Sequence, residues 1–302
     1  GVFAPVMNST TANAVTLTID DSDAEIASNE LLYTQPNQAG TTLANIAPGP
    51  CTHVWTAQNR LWFDKSDKPG WYGYSQPYVN NVGLQFSPDL EAAIPAEGGG
   101  FVAGAEMDEK VIIFGERRIY VQYGTGPSTS GAFSNYSLPQ DIQADVGCSD
   151  PLSVLTGLPT GIIFKAQKGW HLLQRDLTVK YIGEGVARFD ANTVTAAVLL
   201  EDRQECRFVT TGTAGSAAGT TLVYSYLVDQ WSYFSQTEGD GYFPIDAMWW
   251  PTAGSGAGRY VTISLSQGLN QDTPGIYTDA PGVASGVTIT TRARTGWLHL
   301  TN

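Results

Sequence analysis

Carboxylates are the side chains of this sequence that could do chemistry with the fewest partners. Glycoside hydrolysis needs only two of them, one on either side of a sugar bond. The chain also contains 8 Trp and 14 Tyr, whose rings could stack on sugars. No spacing brings two carboxylates together, and carboxylates in turns at strand ends are common in any fold. The candidate acids are Asp145, Asp150, Asp190, Glu201, Asp202 and Asp246.

Histidine and cysteine offer no second route to catalysis. The histidines, His53, His171 and His299, are scattered, and none of the motifs HExxH, GxSxG or GxxxxGK[ST] occurs. The 3 cysteines include no CxxC pair, which predicts neither a disulfide framework nor a zinc site and suits a reducing compartment. We therefore expect no enzyme activity, no catalytic residue, no metal and no cofactor.

One acidic segment has the composition of a cation site. Asp21, Asp23 and Glu25 alternate along the chain, and Ca²⁺ prefers carboxylate oxygens. The segment lacks the glycine turn and the distal glutamate of an EF-hand, so the pattern favours a solvated loop.

The charge of the chain restricts its partners. Its 302 residues include 16 Lys+Arg against 29 Asp+Glu, a formal net charge of −13. Residues 1–59 and 208–258 contain no base. A protein that grips nucleic acid needs clustered bases opposite the phosphates, so this composition argues against such binding. The longest apolar runs are a few residues, too short for membrane insertion.

The elements that must position any of these side chains are β-hairpins. Five segments repeat one pattern: an aliphatic and aromatic strand, a short polar or glycine turn, and a second strand often opened by an aromatic residue. The first strands begin near residues 60, 110, 161, 221 and 259, at spacings of 50, 51, 60 and 38. A hairpin unit of about 40–50 residues has the size of a four-stranded propeller blade.

These repeats predict an all-β fold, a β-propeller of antiparallel hairpin blades, over residues 51–285. A β-sandwich whose hairpins merely look periodic is the alternative. Helix is scarce, and only Ser87–Ala96 and Ser149–Leu155 could hold a turn or two. We expect residues 1–50 to end a preceding domain or to close the ring with a strand. Residues 286–302 should begin a strand of an adjoining platform domain, as part of a longer protein.

Several short motifs follow one another in a recognisable order. They are Asn59–Trp62, Trp71–Ser75, Lys110–Val121, Gly147–Val154, Ile162–Phe164, Gly169-Trp170, Asp202–Arg207, Leu222–Tyr226, Gln230–Ser232 and Thr291–Leu298. This succession resembles that of the tail nozzle or tail hub proteins of short-tailed bacteriophages, and the resemblance covers about residues 51–235 and the C-terminal strand. Gly115 and Asp229 depart from the family pattern and put the geometry of two turns in question.

The resemblance implies a structural role without an active site. In this family a β-propeller is carried on a ring-forming platform domain, and several copies, usually six, surround a channel through which double-stranded DNA leaves the capsid. The expected partners are identical subunits, other tail or adaptor proteins, and DNA that passes an acidic or neutral wall without tight binding. The chain would be made in the host bacterial cytoplasm and reside in the virion tail. Acidic tips that face the channel or solvent are expected at Asp20, Asp21, Asp23, Glu25, Glu238 and Asp240.

The alternative function is that of a carbohydrate-binding or glycoside-hydrolysing β-propeller. The two functions differ in where the aromatic rings lie, because a sugar site needs exposed rings beside carboxylates. Trp249 and Trp250 would favour the sugar site if both were exposed in one pocket with Asp246. The tryptophans of the repeat strands are expected to pack between blades; they are Trp62, Trp71, Trp170 and Trp231.

Overall fold

The computed structural model describes residues 45–80, 83–128, 134–211, 220–235, 242–251, 258–266 and 274–278. The chain divides into two compact units, Gly1–Gln143 and Ala144–Asn302. In the described residues, regular structure consists of antiparallel strands and four short 3₁₀ turns. Within those same segments, no helix is long and apolar enough to cross a membrane.

The described residues of the first unit form two four-stranded antiparallel sheets, each a meander of consecutive strands. A 3₁₀ turn, Ala96–Gly98, lies between them in the chain. The strands of the first sheet are β1 (Val54–Ala57), β2 (Arg60–Asp64), β3 (Trp71–Ser75) and β4 (Phe86–Ala93). Those of the second are β5 (Phe101–Met107), β6 (Lys110–Gly115), β7 (Ile119–Gln122) and β8 (Gln140–Asp141).

The second unit continues the same architecture with two four-stranded sheets and one three-stranded sheet among its described residues. The strands of its first sheet are β9 (Leu155–Leu158), β10 (Gly161–Ala166), β11 (Gly169–Gln174) and β12 (Val179–Tyr181). The next sheet contains β13 (Thr193–Leu200), β14 (Glu205–Thr211), β15 (Thr220–Ser225) and β16 (Gln230–Ser235). The last contains β17 (Tyr242–Pro251), β18 (Gly258–Ser266) and β19 (Pro274–Thr278). The 3₁₀ turns of this unit are Pro151–Ser153, Glu184–Phe189 and Glu201–Arg203.

Local sequence explains the hairpins. The β1–β2 turn is the pair Gln58-Asn59, with φ of 51° and 57°, and the β5–β6 turn is Asp108-Glu109, with φ of 51° and 61°. Positive φ at both central residues is the geometry whose twist matches that of paired strands, and Asn and Asp tolerate it best among the residues other than glycine. Strand β6 is buried at Val111–Phe114, as its continuous apolar run predicts.

Aromatic rings join the two sheets of the first unit. Trp62 of β2 is fully buried, and its ring centroid lies 4.7 Å from that of Tyr74 and 6.0 Å from that of Trp55. Residues of the second sheet, Val111 among them, pack in the same cluster. Trp55 lies so close to β5 that a Cβ on Gly104 would sit 2.1 Å from the indole, so only glycine fits there.

A similar cluster joins the first two sheets of the second unit. The ring centroid of Trp170 in β11 lies 4.3 Å from that of Phe208 in β14 and 5.4 Å from that of Trp231 in β16. Trp62, in the second strand of its sheet, and Trp170, in the third strand of its sheet, are both fully buried in clusters that include residues of two neighbouring sheets. Trp231 also packs there, partly buried.

The structure confirms the prediction of an all-β fold of antiparallel hairpin blades. All five repeat hairpins form, but the fourth is β15–β16, the third and fourth strands of its sheet, rather than the second and third. Counted on second strands, which start at residues 60, 110, 161, 205 and 258, the spacing becomes 50, 51, 44 and 53. The spacings of 60 and 38 in the sequence are irregular because the fourth repeat was counted from the third strand of its sheet, whereas the others were counted from the second.

Two expectations from the sequence were wrong. Ser87–Ala96 is not a helix, because most of it belongs to β4, which pairs with β3. Trp71 does not pack between sheets, since it is 40% exposed with the Lys68 ammonium 5.2 Å from its ring centroid. The turn expected in Ser149–Leu155 forms as the 3₁₀ turn Pro151–Ser153.

The two departures from the family pattern have simple explanations. A Cβ on Gly115 would lie 2.7 Å from the Gly98 carbonyl oxygen, so a larger residue would clash with the backbone. Asp229 has a φ of 53°, the left-handed conformation that glycine usually supplies at such a turn. Both hairpins form, since β6 pairs with β7 after Gly115 and β15 pairs with β16 around Asp229.

The expected terminal segments lie outside the described residues over 1–44 and 279–302. The acidic tips Asp20, Asp21, Asp23, Glu25, Glu238 and Asp240 lie outside them as well, together with the acidic segment weighed as a cation site. These remain predictions.

Candidate functional site

The polar centre of the second unit is built on Asp150, which precedes the 3₁₀ turn Pro151–Ser153. Its Oδ2 accepts a hydrogen bond of 2.6 Å from the backbone N–H of Val194, the second residue of β13. Ser153 donates to the Asp150 carbonyl oxygen over 2.6 Å and accepts from the Lys165 N–H over 2.8 Å. Asp150 thereby ties the sheet of β10 to the sheet of β13.

Lys165 supplies the counter-charge from β10. Its Nζ lies 3.9 Å from Asp150 Oδ2, and both side chains are almost fully buried. Burial raises the pKa of Asp150, although the Val194 N–H and the Lys165 ammonium act in the opposite direction. Desolvation therefore outweighs the ion pair here, as is usual for charges taken out of water.

The neighbouring thiol, that of Cys148, is unreactive. Cys148 is fully buried and its Sγ lies 3.2 Å from the Asp150 carbonyl oxygen. Burial raises the pKa of Cys148 to about 11, so the thiol stays protonated at neutral pH and is a poor nucleophile.

A second carboxylate, Asp190, lies within electrostatic range of Lys165. Burial raises the pKa of Asp190, with the charges of Lys165 and His171 acting against it. His171 is half-buried, its ring stacked on Phe164 at 5.6 Å with Nδ1 3.3 Å from the Gly169 carbonyl oxygen. Burial lowers the pKa of His171, so its imidazole is neutral at pH 7.

Among the six acids considered for hydrolysis, Asp150 and Asp190 are the two that the structure brings to one cluster, around Lys165. Asp150 cannot reach a substrate, because it is 5% exposed and its carboxylate is bonded to the backbone of β13. Asp190 is half-buried and faces the hairpin of β10 and β11. The remaining candidates, Asp145, Glu201, Asp202 and Asp246, are exposed.

A sugar site at Trp249 and Trp250 would need both rings exposed beside Asp246, and Trp249 does not meet this condition. Trp249 is partly buried and packs on Val198, Leu200 and Tyr260, in a cluster that joins two sheets of the second unit. Asp246 is exposed, and its Oδ1 accepts the N–H of Ala247 over 2.7 Å. The side chain of Trp250 lies outside the described residues.

Further sheet-to-sheet bonds lie in the same unit. Trp231 Nε1 donates to the Ile182 carbonyl oxygen over 2.7 Å. Asp229 accepts from Tyr224 over 2.7 Å and pairs with Lys180 Nζ over 2.7 Å, which links its hairpin to β12. Sequence reasoning did not predict that Lys165 and Asp229 join neighbouring sheets. The signal for Lys165 is that it is the one charged residue of the apolar strand β10.

The first unit also has a buried charged residue, Arg60. Its guanidinium donates to the Ser75 carbonyl oxygen over 3.0 Å, to that of Thr125 over 3.2 Å, and to that of Pro127. The rings of Tyr74 and Tyr136 lie 5.7 and 5.9 Å from its Cζ. In the part of the chain that the structure describes, Arg60 pairs with carbonyl oxygens and with no carboxylate.

Within the described segments, no group of three or more His, Cys, Asp or Glu side chains could hold a metal ion. The candidate site is therefore a set of sheet-joining polar residues around Asp150 and Lys165.

No protein-family model matches the chain, and no curated protein sequence matches it. Three solved structures illustrate its likeness to known folds. An exo-β-1,3-galactanase from Phanerochaete chrysosporium is 10% identical, with a TM-score of 0.38 over 74% of this chain and 58% of the galactanase. The luciferin-regenerating enzyme is 12% identical, with a TM-score of 0.39 over 76% and 71%. The Pan2 WD40 domain of Neurospora crassa is 13% identical, with a TM-score of 0.37 over 72% and 73%.

Proposed function

We propose that the chain is a structural protein of a bacteriophage tail, a β-propeller segment of the nozzle or hub of a short-tailed phage. It would form part of a ring of identical subunits around the channel through which DNA is ejected. It would have no catalytic role.

One observation carries this proposal: polar residues of the motifs that resemble the family make bonds between sheets and loops. Arg60 holds the loop after β7, Asp150 holds β13, and Trp231 holds the segment after β12. Catalytic side chains must instead reach a substrate. Residues whose polar groups join sheets and loops suit a rigid scaffold.

The charge of the chain supports the same role. Duplex DNA carries about one negative charge per 1.7 Å of its axis, and basic surfaces hold it by releasing counterions. A chain with a net charge of −13 would not retain DNA in this way. An acidic wall suits a channel through which DNA must move.

Assembly and DNA binding can be measured on the purified chain. Mass photometry over a range of concentrations should show a closed oligomer, since a ring requires head-to-tail contacts between identical subunits. Gel retardation of duplex DNA at low salt should show no stable complex. A monomer at every concentration, together with tight salt-sensitive DNA binding, would refute the proposal.

A further inference from the structure

Exposed apolar side chains lie at one end of the first unit, around the β1–β2 turn. Apolar patches of this kind on a protein surface often mark a binding site for another protein. Leu138 follows Ser137, whose backbone N–H donates to the Tyr123 carbonyl oxygen over 2.8 Å. The side chains are Tyr78, Val79, Tyr123 and Leu138, which are 50%, 45%, 37% and 84% exposed.

Hydrogen bonds to the β1–β2 turn bring these residues to one surface. The Tyr78 N–H donates to the Asn59 carbonyl oxygen over 2.8 Å. Gln58 Nε2 donates to the Gly124 carbonyl oxygen over 2.7 Å, which places Tyr123, the preceding residue, beside the same turn. The four exposed apolar residues form what we call the turn end of the first unit.

Carboxylates border the turn end. The Gln58 N–H donates to Glu106 Oε2 over 3.1 Å, and Gln58 Nε2 also donates to the Glu109 carbonyl oxygen. Both glutamates are exposed, and residues 106–110 carry three acids against one lysine. An apolar centre with a polar rim is the usual anatomy of a protein–protein interface. The turn end therefore suits a partner whose surface is apolar and cationic.

A surface of that composition lies on the second unit, around Arg188. Arg188 is exposed in the 3₁₀ turn Glu184–Phe189, and its Cζ lies 4.5 Å from the ring centroid of Phe189. The ring centroid of Tyr233 in β16 lies 4.2 Å from the same atom. Contact with both rings limits the motion of the guanidinium, whose planar edge keeps N–H donors for a carboxylate. Arg188, Phe189 and Tyr233 together form the Arg188 surface.

We propose that the turn end of one copy of the chain binds the Arg188 surface of a second copy. The inference rests on the proposed ring of identical subunits, because a ring requires two different surfaces of one chain to meet head to tail. Arg188 pairs with the carboxylate of Glu109, since Glu106 already accepts the Gln58 N–H. The exposed apolar side chains of the turn end pack beside this pair on the aromatic rings.

Duplex DNA is a poorer partner for Arg188 than a second copy. DNA is held by several bases that contact successive phosphates. The turn of Arg188 contains one base and begins with an acid, Glu184, so it offers a single cationic contact. One such contact is enough for a carboxylate, and a second copy presents 29 acids against 16 bases. Charge complementarity therefore favours the second copy.

Charge exchange in the whole chain tests this contact, with mass photometry over a range of concentrations as the readout. Arg188→Glu and Glu109→Arg should each raise the dissociation constant of the oligomer about tenfold or more. The double variant Glu109→Arg/Arg188→Glu should recover most of the association, because it exchanges the two charges. Lys168→Glu, at an exposed turn of the second unit, is the control and should leave association unchanged.

A further variant, Leu138→Ser, tests the apolar part of the contact. Leu138 is 84% exposed, so its replacement should leave folding intact and weaken association. This variant keeps the test decisive even if Arg188→Glu fails to fold.

The inference is overturned if the oligomer is insensitive to Arg188→Glu or to Leu138→Ser, or if the double variant associates no better than the single variants. Any of these results leaves the proposed ring standing. A parent chain that is monomeric at every concentration overturns the inference together with the proposed function. Retardation of duplex DNA that Arg188→Glu abolishes would also overturn the inference, since the arginine would then bind DNA.

Discussion

Both units of the chain have a buried tryptophan between neighbouring sheets, but they differ in the buried charged residues that accompany it. Each has a fully buried tryptophan between sheets, Trp62 in the first unit and Trp170 in the second. The first unit adds a buried cation, Arg60, whose two terminal nitrogens donate to carbonyl oxygens. The second adds an ion pair, Asp150 with Lys165.

This difference teaches how buried charge can be tolerated in a sheet protein. A guanidinium has five donors in a fixed fork and can be satisfied by neutral backbone acceptors. A carboxylate beside a lysine depends on its partner, since each alone would be an uncompensated buried charge. We expect the second unit to respond strongly to charge removal and to pH, and the first to respond mainly to lost hydrogen bonds.

The largest expected effect comes from Lys165→Met, which leaves Asp150 buried without its counter-charge. Breaking one partner of a buried pair costs about 3–5 kcal/mol in the free energy of unfolding. Denaturant unfolding followed by tryptophan fluorescence measures the loss. Lys168→Met, on the exposed turn of the same hairpin, is the control and should change stability by less than about 0.5 kcal/mol.

The double variant Asp150→Asn/Lys165→Met should recover most of that loss, because it removes both charges together. Additive losses in the two single variants and the double variant would show that the two residues do not act as a pair.

Arg60→Met should destabilise the first unit by about 2–3 kcal/mol, because buried carbonyl oxygens of Ser75, Thr125 and Pro127 lose their donor. The loss should be the same at low and high salt, since Arg60 has no carboxylate partner in the described residues. Arg117→Met, at an exposed position of the same unit, is the control. A strongly salt-dependent loss would contradict the contrast between the units.

Trp231→Phe should have a smaller effect, about 1 kcal/mol, because it keeps most of the ring packing and removes the hydrogen bond to the Ile182 carbonyl oxygen. Thermal unfolding of the variant beside the parent chain measures it. Tyr233→Phe keeps a ring in the same strand and serves as the comparison. A loss of several kcal/mol in Trp231→Phe would mean that the ring itself has been displaced.

The smallest expected effect is a pH trend at Asp150. Because burial raises its pKa in the folded state, the folded chain holds this proton more tightly than the unfolded chain does. The stabilising contribution is therefore complete below the unfolded pKa and is lost as pH rises through the raised folded pKa. The free energy of unfolding should be measured between pH 3 and 7 for the parent chain and for Asp150→Asn. The value for the parent should fall relative to that for the variant as pH rises. The opposite trend would mean that the ion pair outweighs desolvation.

Much of the fold could be predicted because each hairpin is formed by residues that are close together in the sequence. The hairpins are readable from apolar strands and polar turns, and Gln58-Asn59 forms such a turn. Strand β4 was missed because Ser87–Ala96 contains helix-favouring residues, while its structure depends on pairing with β3. The fourth hairpin was recognised, but it consists of the third and fourth strands of its sheet, unlike the first three hairpins.

The candidate site was less predictable because it joins distant parts of the chain. Asp150, Lys165 and Val194 meet from three separate segments, and no spacing in the sequence signals that contact. The same holds for Asp190 and Tyr181, which meet only across Gly169. Asp150 and Asp190 were among the candidate acids, but their different burial could not be read from residue type.

Negative-stain electron microscopy of the purified assembly tests the central claim most directly. The proposed tail function predicts class averages of a closed ring of identical subunits, with a central hole wide enough for duplex DNA. Monomeric particles, or oligomers without a central opening, would contradict it.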